Sequence, residues 1–127
     1  MSGNSAMNGY TTWYIPDCYW PDGGTDAPYV SHESICVLNE SGEDVTIGMT
    51  LFFEDREPVG GFHAVCAARR THHVRMDRQV SDSGLAVPRG VPYAVKVCSS
   101  APIWVQYSRC DTTQQNMAFM TAIPMHG

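Results

Sequence analysis

The alternation of apolar and polar residues constrains this fold more than any other feature of the sequence. Along residues 44–53, every second side chain is apolar: Val45, Ile47, Met49, Leu51 and Phe53. The same period of two recurs at 93–97 and 103–108, and it is typical of half-buried antiparallel strands. No segment keeps an apolar period of 3.6, and turn signals recur about every ten residues. The sequence therefore predicts an all-β fold, either a sandwich or a barrel.

Eight strands are predicted within a single domain. Their bounds are 11–15, 31–38, 44–53, 62–67, 69–76, 93–97, 103–109 and 117–123. Residues 99–102 contain Pro102 and are predicted to turn the chain between the two strands that flank them. A length of 127 residues suits one domain, which we place at 11–127. The small, polar residues 1–10 are predicted to be a disordered lead-in.

Charge and cysteine content favour a cytoplasmic protein that does not bind nucleic acid. The net charge is −5 at pH 7, whereas nucleic-acid-binding domains usually carry a basic balance. The five cysteines are odd in number and include no C-x-x-C pair, so we expect them to be reduced and unpaired. The first ten residues lack the basic and apolar regions of a signal peptide. No apolar run approaches the roughly 18 residues that span a membrane.

An arginine- and histidine-rich run at 67–75 is predicted to form the most polar strand. If it is extended from residue 69, two sets of four side chains share a face: Arg69, Thr71, His73 and Arg75 on one side, and Arg70, His72, Val74 and Met76 on the other. Accessible Arg and His side chains could clamp an anion or the hydroxyl groups of a ligand. The alternative is a solvated face or a subunit interface, where Arg is also favoured.

Two further polar groups lie on predicted strands. Glu33 follows Ser31 and His32, but neighbours on a strand point to opposite faces, so the three cannot form a catalytic triad. Glu33 is either a structural carboxylate or an acceptor for ligand hydroxyls. Near the chain's end, Trp104 shares a face with Gln106, an arrangement that suits a sugar ring and its hydroxyls when it is accessible, and a plain core when it is not.

Sequence motifs for catalysis and metal binding are absent. The five histidines show neither H-x-x-x-H nor H-x-H spacing. There is no nucleophile elbow, phosphate-binding glycine loop or H-E-x-x-H motif. Glycoside hydrolysis needs two carboxylates across a cleft, and nothing in the sequence brings candidates such as Glu33 and Asp111 together. We therefore predict no catalytic residue, no metal and no cofactor.

Five segments in register resemble the sensory rhodopsin transducer family. They are Trp13-x-Ile15-x-Asp17-x-Tyr19-x-Pro21, Ser31-His32-Glu33-Ser34-Ile35-Cys36-x-Leu38-Asn39, Asp55-Arg56-Glu57-Pro58-Val59-Gly60, Ala68-Arg69-Arg70-Thr71-x-His73-Val74-Arg75 and Val105-Gln106-x-x-Arg109-x-Asp111. Each motif alone is weak, but together they cover nearly the whole chain from Trp13 onward. The resemblance implies an antiparallel β-sandwich that assembles as a homo-oligomer, a tetramer. It also implies either partnership with a membrane rhodopsin or small-molecule binding, with sugars as suspected ligands, and a link to transcriptional control in some members.

We therefore predict a non-enzymatic, cytoplasmic protein that binds a small polar ligand, such as a sugar, and relays that state to a partner. The candidate ligand-binding residues are Trp13, His32, Glu33, Arg69, Arg70, His73, Arg75, Gln106, Arg109 and Asp111. One alternative is a soluble transducer that docks on the cytoplasmic face of a sensory rhodopsin. A third hypothesis, from another class, is an enzyme that acts on sugars.

Overall fold

The chain folds into an antiparallel β-sandwich whose two sheets share one long strand. The structure, a computed structural model, describes residues 8–22, 30–113 and 117–127. Its strands are β1 (Tyr10–Tyr19), β2 (His32–Asn39), β3 (Val45–Phe53), β4 (Val59–Cys66), β5 (Arg70–Arg75), β6 (Pro92–Asp111), β7 (Ala118–Ala122) and β8 (Met125–His126). Within these described ranges there is no α-helix, and the only helical element is a 3₁₀ turn, Met76–Arg78. The predicted all-β fold is confirmed.

The 20-residue strand β6 is the element that joins the two sheets. Its first part lies between β3 and β1, in a sheet of order β4-β3-β6-β1-β8. Its second part lies between β2 and β7, and β5 forms the far edge of that second sheet. The predicted turn at 99–102 is therefore wrong, because β6 runs through it. Pro102 is tolerated there because the ladder with β3 ends at Ser99, the ladder with β2 begins at Trp104, and the ladder with β1 is irregular between Cys98 and Ile103.

The core lies between the inner faces of the two sheets, and β3 shows how the pattern builds it. Val45, Ile47, Met49 and Leu51 are all buried, as the alternation predicts. They meet apolar residues from the other strands: Trp13, Ile15, Ile35, Val37, Phe62, Val74, Val95, Val97 and Ile103. At roughly 1.5–3 kcal/mol for each fully buried large apolar side chain, this contact is the main favourable term in folding.

Strand boundaries differ from the predicted ones where a single residue changes the backbone. Strand β1 continues past Pro16, because the register with β6 shifts between Ile15 and Cys18 and this irregularity absorbs a residue without an amide hydrogen. Strand β5 begins at Arg70 and not at Arg69, because Arg69 has a φ of 54° in a turn. The predicted lead-in at 1–10 lies outside the described residues up to residue 7, and Tyr10 already belongs to β1.

Two neighbouring turns are fastened by the buried side chain of Asn39. Its amide nitrogen donates to the carbonyl oxygens of Glu43 (2.8 Å), Cys66 (3.1 Å) and Ala67 (3.2 Å). Its amide oxygen accepts from the Ser41 backbone (3.0 Å) and the Ser41 hydroxyl (2.7 Å). This one amide therefore joins the β2–β3 and β4–β5 turns, at the end of β2 where Asn39 pairs with Arg70, the first residue of β5.

Candidate functional site

The outer face of the second sheet carries a groove across three adjacent strands, β5, β2 and β6. Cys36 in the middle strand pairs with His73 on one side and with Gln106 on the other. One step along, Leu38 pairs with Thr71 and with Trp104 in the same way. These two rows form a groove of about 240 Å³, which we call the outer groove. Its lining is Cys36, Val37, Leu38, Thr71, His73, Trp104, Val105 and Gln106.

The Trp104 ring is held in place at one end of the outer groove. Its Nε1 donates to Glu40 Oε1 at 3.0 Å. Beneath it, the Tyr10 ring packs edge-on at 5.8 Å, and the Trp13 ring lies 6.2 Å away. A tryptophan fixed in this way offers an apolar platform at no further cost in side-chain entropy.

Polar groups in the outer groove are available for a ligand. In the described part of the chain, neither the His73 imidazole nor the Gln106 amide makes a hydrogen bond, and both residues are exposed. A neutral imidazole and a primary amide each offer donors and acceptors. Thr71 donates its hydroxyl hydrogen to the Val37 carbonyl at 3.1 Å, so the hydroxyl oxygen keeps acceptor capacity. The groove therefore combines a ring surface with hydrogen-bonding groups of both kinds.

The arginines of the β5 region are mostly engaged outside the outer groove. Arg75 shares the face of Thr71 and His73, but its Nε and Nη2 grip Asp77, both at 2.8 Å. Burial acts to raise the pKa of Asp77, yet this paired contact with Arg75 holds the pKa below its ordinary value. Arg70 is exposed and donates to the backbone oxygens of Ala68 and Arg69. Arg69 lies in the turn, so the predicted placement of Arg69 on the strand face is wrong.

Glu33 lies on the opposite, inner side of β2, in a fully buried polar cluster. Its Oε1 accepts from the Tyr93 hydroxyl at 2.6 Å, and its Oε2 accepts from the Tyr107 hydroxyl and from the Tyr19 amide, the latter at 2.8 Å. Burial raises the pKa of Glu33 above its ordinary value, and the three hydrogen bonds oppose that shift. Burial also raises the pKa of the neighbouring Cys18 and Tyr107.

Arg109 links this buried cluster to the surface. Its Nε donates to the Tyr107 hydroxyl at 3.1 Å, and its Nη2 lies 3.7 Å from an Asp17 carboxylate oxygen. The guanidinium also lies over the rings of Tyr19 and Tyr107, 5.9 and 5.7 Å from their centres. These contacts place Arg109 as the cation next to the Glu33 cluster.

The other predicted site residues lie away from the outer groove. Trp13 is 2% exposed, and its Nε1 donates to the carbonyls of Tyr10 and Ile103, both at 3.1 Å. His32 bonds the Val30 carbonyl through Nδ1. Asp111 accepts from the Thr113 hydroxyl and amide, which lower its pKa. Of the predicted site residues, the structure thus brings two pairs together. His73 and Gln106 meet at the outer groove, and Glu33 and Arg109 meet at the buried cluster on the inner side.

Sequence reasoning missed the residues that complete these two groups. Cys36 and Leu38 supply the floor of the outer groove, and their alternation with Ile35 and Val37 was the signal that could have placed them on an outer face. Tyr93 and Tyr107 supply the hydroxyls on Glu33, but in the sequence they continue apolar faces and carry no polar signal. Their convergence on Glu33 is a property of the packed sheets.

A second concavity of about 380 Å³ lies near the bulge in β1. It is lined by Pro16, Asp17, Phe52, Phe53, Glu54, Pro92, Tyr93 and Ala94. Its charged groups are two carboxylates, Asp17 and Glu54, which accept hydrogen bonds but do not donate them when ionised. It therefore offers fewer hydrogen-bond donors than the outer groove.

In the described residues, no three His, Cys, Asp or Glu side chains are grouped to hold a metal ion. Nor is any helix in that part of the chain long and apolar enough to cross a membrane.

The fold and the outer groove define a small antiparallel β-sandwich domain with a polar site on an outer sheet face. The chain belongs to the family described as Anabaena sensory rhodopsin transducer, whose model matches residues 8–126. A crystal structure titled Thermotoga maritima 1070 is similar at 33% identity and a TM-score of 0.84, covering 95% of this chain and 97% of that one. The Anabaena sensory rhodopsin transducer is similar at 35% identity and a TM-score of 0.70, covering 78% and 93%. A search of curated proteins finds no match.

Proposed function

We propose that this chain is a non-enzymatic cytoplasmic protein that binds a small polar ligand, a sugar or related metabolite, and relays that state to a partner. The observation that carries the proposal is the pair His73 and Gln106, which face each other across Cys36 with their hydrogen-bonding groups unused. The Trp104 ring would cover the apolar face of a pyranose, while the amide and imidazole would take its hydroxyls. The groove's volume of about 240 Å³ suits a small ligand.

The remaining candidate residues fit this proposal in supporting positions. Arg75 lies one row beyond His73 on the same face, where its paired contact with Asp77 would fix the end of β5 beside the groove. Trp13 supports the Trp104 ring from the core. Glu33 and Arg109 lie beneath β2 and β6, where their contacts would hold these strands under the groove. Arg70 begins β5 and Arg69 lies in the turn before it, while His32 and Asp111 lie at the far end of the second sheet.

A panel of neutral monosaccharides, screened by thermal shift, tests the proposal. At least one sugar should raise the melting temperature, since a ligand that binds only the native state stabilises it. His73→Ala and Gln106→Ala should each weaken binding about tenfold, the effect of one lost hydrogen bond of ordinary strength. His72→Ala is the matched control, because His72 is on the same strand but bonds the Val65 carbonyl on the opposite face.

Two results would contradict the outer groove as the ligand site. One is a panel in which no sugar moves the melting temperature. The other is a His72→Ala protein that loses affinity as much as His73→Ala does. In the second case the loss would reflect damage to β5 and not a lost ligand contact.

Docking on a rhodopsin is the second candidate function, and the likeness to the Anabaena sensory rhodopsin transducer favours it. We would measure binding of the purified chain to a detergent-solubilised sensory rhodopsin by sedimentation, with and without illumination. If the chain and the rhodopsin sediment together in one boundary, docking is supported. If they sediment in two separate boundaries, docking is contradicted.

Turnover of any sugar in the monosaccharide panel would support the enzyme hypothesis instead, although the eight residues that line the outer groove include no Asp or Glu.

A further inference from the structure

Arg89 stacks on Trp20 where two loops meet. The guanidinium carbon lies 4.5 Å from the centre of the Trp20 ring. Trp20 follows β1 directly and donates its Nε1 hydrogen to the Ser31 carbonyl at 2.9 Å. The amide of Gly90, next to Arg89, donates to the Trp20 carbonyl at 2.8 Å. The ring and the guanidinium are therefore positioned by the backbone on both sides of the contact.

One edge of the Arg89 guanidinium is buried and unused. Its Nε and Nη2 are both shielded from solvent, and neither has a hydrogen-bond partner among the described residues. Nor does Arg89 form an ion pair in that part of the chain, where the paired arginines are Arg56, Arg75 and Arg109. Buried polar groups in native proteins are almost always satisfied, and a buried cation without an acceptor is strongly unfavourable. The described residues therefore supply no acceptor to these two donors, although the Asp22 carboxylate lies nearby: a Cβ added to Gly90 would be 3.5 Å from Asp22 Oδ2.

The geometry of the unused edge indicates what that acceptor is. Nε and Nη2 together form the fork that binds two oxygens of a carboxylate or phosphate side-on. Two other arginines of this chain use the same edge: Arg56 on Asp55 at 2.9 and 3.2 Å, and Arg75 on Asp77 at 2.8 and 2.8 Å. At Arg89, no described residue supplies two oxygens to the same fork.

We propose that Arg89, stacked on Trp20, is an anion-binding site for the carboxylate or phosphate group of a small molecule. This site is separate from the outer groove, whose lining includes neither residue. The bound anion would neutralise the guanidinium and satisfy both buried donors, while the Trp20 ring keeps the fork in one plane. The site gives the protein a way to recognise a charged metabolite that a neutral-sugar groove alone does not provide.

The probes are sodium phosphate and sodium citrate, added at constant ionic strength. Either anion should raise the melting temperature of the wild-type chain. The response should be lost in Arg89→Lys, which keeps the charge but not the fork, and kept in Arg78→Lys, a matched change at an exposed arginine. In ¹H–¹⁵N spectra of the wild-type chain, the Arg89 Nε resonance should shift with phosphate or citrate concentration. This readout needs no variant, so it holds even if Arg89→Lys folds poorly.

Three outcomes would overturn the proposal. The first is a wild-type melting temperature and an Arg89 Nε resonance that neither anion changes. The second is an Arg89→Lys protein that responds to the anions as the wild type does. The third is an Arg89→Lys protein that sediments as a smaller particle and never responds to anions, because the acceptor would then be a carboxylate of a second copy of the chain.

Discussion

At the scale of single residues, Glu33 is a carboxyl in an environment that is unusual for its type. A fully buried carboxyl is rare unless it is well bonded, and Glu33 accepts from two tyrosine hydroxyls and one amide. Burial still raises its pKa above the ordinary value. In the native state the carboxyl therefore holds its proton at a higher pH than it does in the unfolded chain.

This raised pKa predicts a pH dependence that Glu33→Gln removes. Between the ordinary Glu pKa of about 4.3 and the raised native value, the native state binds more protons than the unfolded state. Stability from this group is therefore present below that window and falls as pH rises through it. Glu33→Gln has no such loss. The free energy of unfolding of Glu33→Gln minus that of the wild type should rise across the window and then level off.

Urea unfolding at a series of pH values measures this difference directly, and the subtraction cancels the opposite contributions of groups such as Asp77, whose pKa is lowered. Glu57→Gln, the same substitution at an exposed position, is the control. A flat difference for Glu33→Gln would mean that Glu33 titrates alike in the folded and unfolded chains.

At the scale of elements, the β2–β3 and β4–β5 turns are connected by the side-chain amide of Asn39. Asn39→Ala should destabilise the fold by about 1–3 kcal/mol, because the buried Cys66 carbonyl loses its Asn39 donor and a buried polar group is left unsatisfied. Chemical denaturation measures the change. Glu43→Ala is the control in the same turn, since only its backbone oxygen meets Asn39, and it should stay within about 0.5 kcal/mol of the wild type. Equal losses for both variants would contradict the special role of Asn39.

The sequence predicts a strand correctly when the strand's residue pattern depends only on alternate burial. It does not predict features that depend on how strands are arranged in the folded chain. The β3 pattern depends only on alternate burial, so its apolar face was predicted correctly residue by residue. The continuity of β6 through Pro102 was missed, because the sequence does not show that one strand serves two sheets. The same limit applies to the site. Alternation placed Trp104 and Gln106 on one face, but the pairing of Cys36 with both His73 and Gln106 is set by strand order.

At the scale of the whole molecule, the C-terminal part carries apolar side chains that the described chain leaves uncovered. All five residues of β7 are exposed. Phe119 is 70% exposed and Ile123 is 84% exposed, with Met117 and Met125 nearby in sequence and also exposed. In the described residues, β7 pairs only with β6, so its other edge keeps free backbone donors and acceptors. A strand that is apolar and hydrogen-bonded on one side only can pair with a further strand on its free side.

We expect a second copy of the chain to cover this edge in a homo-oligomer. A closed assembly would bury Phe119 and Ile123 in every copy at once. Phe119→Ser combined with Ile123→Ser should therefore shift the protein toward monomer in sedimentation velocity at micromolar concentration. Val65→Ser with Val80→Ser is the control, because these two residues are also exposed and apolar but lie away from β7. A wild-type chain that sediments as a monomer, or a control that dissociates as readily, would show that this edge does not hold the assembly together.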